Sequence, residues 1–539
     1  MYGQMMDECL LIQDTLEHAA RYHGGAEIVS REIDGSVHRY SYRQAYGRVK
    51  KLANALASLD MREGDRVATL AWNDHRHFEL YYGISGSGGI VHTVNPRLSE
   101  ESILYIIGHA ENRLLFIDLE FVGLIEKLQN QLPDLEKVIV LCSEANLPDS
   151  TIDNILCYED LINDFDSDYS WQRFDSETAA SLCYTSGTTG KPKGVLYSHA
   201  STIEHAKAIG GGEGWSLNRF SSVMPVVPMF HASAWGIPYA ATMAGCKLVL
   251  PGSKLDGASL YELISQEKVD GMCGVPTIWQ LLLDYLNQNR LTLATVERTI
   301  VGGAAVPLSM IKEFDQKHNV FVMHGWGMTE VSPVGTVNYK TPEMMELSRD
   351  EQYQLQLKQG KPLLGLTMRI VNDAGENQPF DGVNRGYLQV KGRWVAKSYY
   401  KSNDRSAFTD DGWFDTGDIA TIDQYGYMQI VDRAKDLIKS CGEWISSIDI
   451  ENLVESYDGV REAAVIAADH PKWGERPLLI VTLKKGFEKI DVANYVSQKL
   501  TKMNLSDAII VRSTLPYGAT GKVLKQELRE EYVSFLLKK

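Results

Sequence analysis

The residues best suited to chemistry lie together at positions 184–194, which read YTSGTTGKPKG. These eleven residues include five hydroxyl side chains, three glycines and two lysines. Glycines let a ligand approach the backbone closely, consecutive backbone N–H groups bind anions, and lysines add positive charge. The segment therefore predicts a loop that binds phosphate groups. It is not a Walker A loop, because Pro192 follows Lys191 where that motif requires Ser or Thr.

The order of residues in this loop resembles the phosphate loop of the adenylate-forming enzymes, which include acyl-CoA synthetases, adenylation domains and luciferases. Four further motifs of that family follow in the family's order: HGWGMTE at 324–330, WFDTGD at 413–418, DRAKDLIKSCGEWI at 432–445 and TGK at 520–522. The resemblance extends over essentially the whole chain. It points most closely to fatty-acyl-CoA ligases and methylmercaptopropionate-CoA ligases, and it implies ATP, Mg²⁺ and coenzyme A as ligands.

The resemblance assigns a nucleotide-binding role to each motif. Glu330 would bind Mg²⁺ on the ATP phosphates, with Thr185 as a second ligand, and Thr329 would contact the phosphates. One carboxylate is sufficient, because Mg²⁺ usually combines one or two carboxylates with phosphates and waters. The other implied nucleotide contacts are Ser186, Gly187, Thr188, Thr189 and Lys193 for phosphate; Gly302, Gly303, Ala304, His324, Gly325 and Trp326 around adenine; and Asp418, Arg433 and Lys435 for ribose and nucleotide sensing.

Lys522 is the residue expected to drive the first step, in which the substrate carboxylate attacks the α-phosphorus of ATP and pyrophosphate leaves. Two anions must approach each other, so a cation that contacts both offsets their repulsion and stabilises the transition state. The step needs no acid–base proton transfer. Glu330, Thr329 and His231 complete the predicted catalytic set.

The resemblance also implies that coenzyme A attacks the acyl-adenylate and expels AMP. A small C-terminal domain would turn about a hinge at Asp432, so that Lys522 leaves the site and a second segment enters. That segment supplies the predicted CoA-binding residues Lys439, Ser440, Gly442, Glu443 and Trp444, with Gly442 leaving room for the pantetheine arm.

Residues 220–246 contain no Lys, Arg, Asp or Glu and are expected to form a wall of the acyl pocket. The predicted substrate contacts are His231, Trp235, Gly302 and Val331. Amino-acid adenylation domains place an Asp after the aromatic residue of this segment, whereas here His231 follows Phe230. This difference argues against an amino-acid substrate. Trp235 corresponds to the gating tryptophan of fatty-acyl members, and its bulk could equally shorten the pocket; the sequence leaves both roles open.

The predicted function is therefore an AMP-forming acid–thiol ligase for a short-to-medium-chain fatty acid or 3-methylmercaptopropionate. The alternatives are a long-chain fatty-acyl-CoA ligase and an acyl-AMP ligase that loads a carrier protein. A luciferase-like oxygenase and a catalytically inactive homologue are weaker rivals, the latter because the residues of all five motifs are present.

The elements that must position these residues follow an α/β pattern. Short apolar runs at 66–72, 114–118, 137–142 and 247–250 alternate with amphipathic helices, which is typical of parallel sheets covered by helices. Ser41 is expected to cap a helix whose buried face includes Ala45, Val49 and Leu52. We predict a large N-terminal domain at 1–431 with a β-rich subdomain at 360–431, and a small mobile α+β C-terminal domain at 432–539.

The bulk composition excludes several other functions. The formal net charge of the 539 residues is -16, which disfavours nucleic acid as a partner. The seven cysteines contain no CxxC pair, which argues against a zinc site and favours a reducing, cytoplasmic location. Pro225, Pro228 and Pro238 interrupt the uncharged stretch, so no transmembrane segment is expected. The resemblance suggests a homodimer.

Overall fold

The computed structural model describes residues 1, 3–185, 191–440, 443–500, 506–518 and 523–538. Two large sheets with helices packed on them are followed by a small antiparallel sheet and a mixed sheet near the C-terminus. The predicted fold class, α/β with a β-rich portion and an α+β C-terminal portion, is confirmed. The exact domain boundaries and the mobility of the C-terminal domain remain predictions.

A seven-stranded sheet contains the two strands that flank the predicted phosphate loop. It is parallel except at its last pair of strands. In pairing order, the strands are Ile155–Cys157, Lys137–Val140, Leu114–Ile117, Arg66–Leu70, Ile90–Thr93, Ala179–Tyr184 and Gly194–Ser198. The predicted apolar runs at 66, 114 and 137 thus form adjacent buried strands.

A nine-stranded sheet carries residues predicted to lie beside adenine and the acyl group. Its central strands are parallel, and antiparallel strands flank them at both edges. In pairing order, the strands are Lys361–Pro362, Val334–Val337, Phe321–Gly327, Arg298–Val301, Gly271–Gly274, Ser222–Pro225, Lys247–Leu250, Glu27–Arg31 and Val37–Ser41.

The helices of the N-terminal part cover these two sheets. They are Ile12–Tyr22, Tyr42–Ser58, His75–Gly86, Glu100–His109, Val122–Leu128, Tyr158–Asn163, His199–Gly210, Ile237–Ala244, Gly257–Glu267, Pro276–Asn289, Leu308–His318, Pro342–Glu346 and Arg349–Gln356. The helix at 42–58 confirms its prediction: Ser41 Oγ accepts from the Gln44 backbone N–H, and Ala45, Val49 and Leu52 are buried.

The two smaller sheets carry the remaining motifs. The antiparallel sheet consists of Leu366–Val371, Gly386–Gly392, Phe414–Ile422 and Met428–Arg433. The C-terminal sheet pairs Glu443–Ile445, Ile438–Ser440, Gly474–Leu483 and Val460–His470 in that order, with Ala508–Arg512 parallel to the third strand. Helices Ser447–Glu455, Lys489–Lys499 and Lys525–Tyr532 pack with it. Across the described ranges, no helix combines the length and apolar character needed to cross a membrane.

Candidate active site

The two strands that flank the predicted phosphate loop form an antiparallel hairpin. The backbone N–H of Thr185 donates to the Lys193 carbonyl at 2.9 Å, and the Lys193 N–H donates to Thr185 Oγ1 at 3.2 Å. These bonds hold the two ends of the loop together. The predicted phosphate contacts Ser186, Gly187, Thr188 and Thr189 lie outside the described residues.

Lys193 already has an anionic partner. Its ammonium pairs with Asp404 at 2.6 Å and lies 4.7 Å from the centre of the Tyr399 ring. Both partners of the ion pair are partly exposed, so the pair contributes little to stability. An ATP phosphate could therefore replace Asp404 at modest energetic cost.

Glu330 is a buried carboxylate on a short turn, Thr329–Val331, that follows the strand Phe321–Gly327. Burial raises its pKa, and the Tyr399 hydroxyl partly opposes this by donating to Glu330 Oε1 at 2.9 Å. Among the described residues, no Lys or Arg forms an ion pair with it. A buried carboxylate without a cation fits a metal ligand, and its oxygen chemistry suits Mg²⁺.

Thr329, which precedes Glu330, is bound by a residue of the phosphate-loop hairpin. The hydroxyl of Tyr197, on the strand Gly194–Ser198, donates to the Thr329 carbonyl at 2.6 Å. The hairpin that carries the predicted phosphate loop and the Glu330 turn are thus linked directly.

On the ribose side, Asp418 joins two motif residues. The indole N–H of Trp326 donates to Asp418 Oδ2 at 2.8 Å, and Arg433 Nε lies 2.9 Å from Oδ1. Asp418 and Arg433 are paired across adjacent strands, which explains this proximity. Each carboxylate oxygen keeps a lone pair that could accept from a ribose hydroxyl.

The predicted adenine residues lie at the ends of two neighbouring parallel strands. Val301 pairs with His324, so residues 302–304 lie beside 324–326. A Cβ on Gly302 would lie 3.0 Å from the Gly325 carbonyl oxygen, which explains the glycine. His324 is buried, with Nδ1 2.9 Å from the Leu357 carbonyl, and burial lowers its pKa to about 4. Its neutral ring thus faces the core, and its direct contact with the cofactor remains a prediction.

The acyl side contains an unusual backbone. Ala232, Ser233, Ala234, Trp235 and Gly236 all have positive φ, between 43° and 76°, and form a left-handed turn. For non-glycine residues this conformation costs about 1–2 kcal/mol each. No sequence signal predicts this turn, because only its last residue is a glycine.

This turn brings the indole of Trp235 to Gly302, where its Cη2 atom would lie 3.2 Å from an added Cβ. His231, which precedes the turn, lines a small cleft together with Thr185, Phe230 and Asn95. Thr185, a predicted metal ligand, and His231, a predicted contact of the acid, therefore line the same cleft. Val331 is fully buried next to Glu330.

Comparison with known proteins agrees with this arrangement. Residues 16–400 match the family described as AMP-binding enzyme, and residues 449–522 match the AMP-binding enzyme C-terminal domain. The chain belongs to the AMP-binding enzyme family.

Full-length relatives within this family include a medium-chain-fatty-acid–CoA ligase from Ectopseudomonas oleovorans, 46% identical, with 100% of this chain and 99% of the relative covered. A 3-methylmercaptopropionyl-CoA ligase from Ruegeria lacuscaerulensis is 45% identical, with 99% of each chain covered. The crystal structure of the anthranilate CoA ligase AuaEII with anthranoyl-AMP has a TM-score of 0.87 at 23% identity, covering 98% of this chain and 99% of that one. The last similarity establishes the shared fold.

The position predicted as the hinge has a suitable local geometry in this AMP-binding enzyme. Asp432 and Arg433 are adjacent, but their side chains contact different parts of the chain. Asp432 Oδ2 accepts from the Ser447 backbone N–H at 2.6 Å, at the start of the helix Ser447–Glu455, whereas Arg433 binds Asp418 in the preceding sheet. The hinge role itself is still a prediction.

The predicted CoA-binding segment is a short hairpin in which Lys439 pairs with Trp444 and Ser440 with Glu443. The Trp444 carbonyl accepts from Arg385 at 2.9 Å, so the hairpin contacts the preceding sheet. Lys435 is exposed on the connection between the sheets. Gly442 and Lys522 lie outside the described residues.

The chain flanking Lys522 is anchored on both sides. Tyr517 and Val523 form an isolated β-bridge, and the Tyr517 hydroxyl bonds to Glu462. On the other side, the partly buried Lys525 pairs with Glu451 at 2.7 Å. These contacts anchor the described residues on either side of Lys522.

Sequence motifs missed two site residues, Tyr399 and Asp404. Both lie on the segment 396–404, which reads AKSYYKSND and precedes the WFDTGD motif. A tyrosine pair before polar residues carries no periodic signal, so only the long-range contacts reveal their position.

Proposed function

We propose that the chain is an ATP-dependent carboxylate–CoA ligase that forms AMP and pyrophosphate through an acyl-adenylate. The observation that carries this proposal is full-length identity of about 45% to two acyl-CoA ligases with different acids. The buried carboxylate of Glu330, which forms no ion pair with any described residue, lies beside the phosphate-loop hairpin and supports it independently. A catalytically inactive homologue would have no reason to keep such a group.

In the first step, a carboxylate oxygen of the acid attacks the α-phosphorus of ATP, and the bond to the pyrophosphate oxygen breaks. Mg²⁺, held by Glu330 with Thr185, would neutralise charge on the phosphates. Asp418 and Arg433 orient the ribose, and Trp326 with residues 302–304 encloses adenine. Lys522 contacts both reacting anions and stabilises the charge that develops between them.

In the second step, the thiolate of coenzyme A attacks the acyl carbonyl carbon, and the bond to the AMP oxygen breaks. Rotation about Asp432 exchanges Lys522 for the hairpin that contains Lys439, Ser440, Gly442, Glu443 and Trp444. Asp432 contacts the C-terminal part of the chain, whereas Arg433 contacts Asp418 in the preceding sheet. These contacts support a hinge at Asp432, because rotation there would leave Arg433 beside the nucleotide.

The proposed acid is a short-to-medium-chain fatty acid or 3-methylmercaptopropionate. His231 and Trp235 line its pocket with Gly302 and Val331. Trp235 lies against Gly302 rather than away from it, which favours a short acyl pocket. A long-chain acid is the second candidate, since a long-chain-fatty-acid–CoA ligase from Thermus thermophilus is 42% identical over 98% of this chain.

A pyrophosphate-release assay tests the proposal directly. Straight-chain acids from acetate to palmitate, 3-methylmercaptopropionate and a set of amino acids are each supplied with ATP and Mg²⁺, with and without coenzyme A. We expect acid-dependent pyrophosphate release, with sustained turnover to the thioester only when coenzyme A is present. Turnover with a carrier protein but not with coenzyme A would contradict the ligase assignment, and rates with amino acids equal to those with fatty acids would contradict the role of His231.

A cytoplasmic location and a homodimer complete the proposal. The described cysteines, five of them buried, are free thiols, which suits a reducing compartment. Light scattering of the purified protein tests the homodimer, since a monomeric mass at micromolar concentration would contradict it.

A further inference from the structure

One segment, residues 396–404, contacts both parts of the phosphate-binding region. The Ala396 N–H donates to the Glu330 carbonyl at 2.8 Å, and the Tyr400 N–H donates to the Gly194 carbonyl at 2.8 Å. The segment therefore connects the predicted metal ligand with the strand that leaves the phosphate loop. None of its residues belongs to the motifs that suggested the function.

Tyr399 is the residue of this segment that reaches the Glu330 carboxylate. Its hydroxyl donates to Glu330 Oε1 at 2.9 Å, and 69 residues separate the two positions along the chain. The phenol ring is 7% exposed and packs edge-on against Phe408, with ring centroids 5.4 Å apart. Because the ring is held by packing, its hydroxyl has a fixed position.

This contact occupies one oxygen of Glu330 and leaves the other for a ligand. Mg²⁺ requires near-ideal octahedral geometry, with oxygens at about 2.0–2.1 Å. A glutamate has three rotatable bonds, so an unsupported carboxylate would lose more side-chain entropy on binding the ion.

We propose that Tyr399 is a positioning residue that orients the Glu330 carboxylate for Mg²⁺·ATP. This inference rests on the proposed function. Hydrogen-bonded partners behind a metal ligand commonly change metal affinity by about 10–100-fold when they are removed. Tyr399 has the burial, the packing and the donor geometry of such a partner.

The test uses Tyr399→Phe, which keeps the ring and removes only the hydroxyl. Calorimetry measures the affinity of the full-length protein for α,β-methylene-ATP in EDTA and in excess Mg²⁺. We expect Mg²⁺ to increase the affinity of the wild-type protein for the nucleotide. In Tyr399→Phe this increase should be about tenfold smaller, and the affinity in EDTA should be unchanged. Tyr400→Phe is the matched control, because that ring packs against His109 and should keep the full improvement.

Kinetics separate positioning from a merely structural role. In Tyr399→Phe, the Mg²⁺ concentration for half-maximal pyrophosphate release should rise about tenfold, and saturating Mg²⁺ should restore most of the rate. In a Glu330→Gln background, the same substitution should have no further effect on the Mg²⁺ dependence, since the carboxylate that it orients is gone.

Two outcomes would overturn the inference: equal losses of nucleotide affinity in EDTA and in Mg²⁺, or an unchanged response to Mg²⁺. If wild-type protein shows no improvement with Mg²⁺, the magnesium role of Glu330 fails as well. A third outcome separates the two proposals. If Mg²⁺ increases the nucleotide affinity of the wild-type protein and Tyr399→Phe reduces that increase, but no acid leads to pyrophosphate release, the proposed function fails while the assignment of Tyr399 stands.

Discussion

The nucleotide side and the acyl side of the candidate site are built by different means. On the nucleotide side, Asp418 and Arg433 face each other across regular antiparallel strands, and Trp326 completes a set of direct hydrogen bonds. On the acyl side, five consecutive residues adopt left-handed backbone angles to bring Trp235 against Gly302. One side relies on sheet register, and the other relies on a strained turn.

The difference fits the demands of the two ligands. Every acyl-CoA ligase must bind the same nucleotide, and strand register fixes polar groups accurately because backbone hydrogen bonds hold both partners. The acid varies between relatives, as the names of the two full-length relatives illustrate. A turn outside the sheet can be changed without disturbing strand pairing. Substitutions on the two sides should therefore affect different substrates.

The largest effect is expected from a residue that belongs to neither side. Lys522→Ala should reduce the rate of adenylate formation by about 100–1,000-fold, the range seen when one group that stabilises transition-state charge is removed. Thioester formation from synthetic acyl-AMP should stay near the wild-type rate, because the proposed rotation about Asp432 removes the lysine from the site before that step. Single-turnover assays of each half-reaction provide the measurement. Equal losses in both would show that Lys522 has no step-specific role.

Asp418→Ala tests the nucleotide side. It removes the acceptor for Trp326, for Arg433 and for the ribose hydroxyls, and hydrogen bonds to a charged group are worth about 1.5–3 kcal/mol. The KM for ATP should rise about 10–100-fold, while the relative rates with different acids stay unchanged. Steady-state kinetics over an ATP series with two acids would check this. A changed preference among acids would break the separation between the two sides.

Trp235→Ala tests the acyl side. Loss of the indole opens space next to Gly302, and each additional buried methylene of the acid contributes about 0.8 kcal/mol. The ratio of kcat/KM for hexanoate, which has two more methylenes, over butanoate should rise about tenfold, and the KM for ATP should remain unchanged. If Trp235 lines no part of the acyl pocket, the profile over chain length will match that of the wild type.

Regular structure and motif residues were accessible from the sequence, because each depends on local spacing. The apolar run at 66–72 predicted the strand Arg66–Leu70, and Ser41 with Gln44 formed the expected helix cap. The proximity of Asp418 and Arg433 follows from two motifs on adjacent strands.

Contacts that depend on the assembled fold were not accessible. The bond from Tyr399 to Glu330 joins residues with no shared motif, and the left-handed turn at 232–236 contradicts the local preference of Ala, Ser and Trp for negative φ. Such a turn persists because surrounding packing determines it, and a single sequence does not display that packing.

The smallest expected effect measures the strain on the acyl side itself. Ala234 and Ala241 are both fully buried, but Ala234 has a φ of 47° whereas Ala241 lies inside the helix Ile237–Ala244. Replacing either by Gly removes one buried methyl group. At Ala241 the change should also cost about 1 kcal/mol of helix propensity, whereas at Ala234 it relieves about 1–2 kcal/mol of left-handed strain. Ala234→Gly should therefore leave Tm nearly unchanged, and Ala241→Gly should lower it by about 1–2 °C. Equal decreases in calorimetric Tm would show that the turn stores no strain, and the contrast between the two sides would then be one of shape alone.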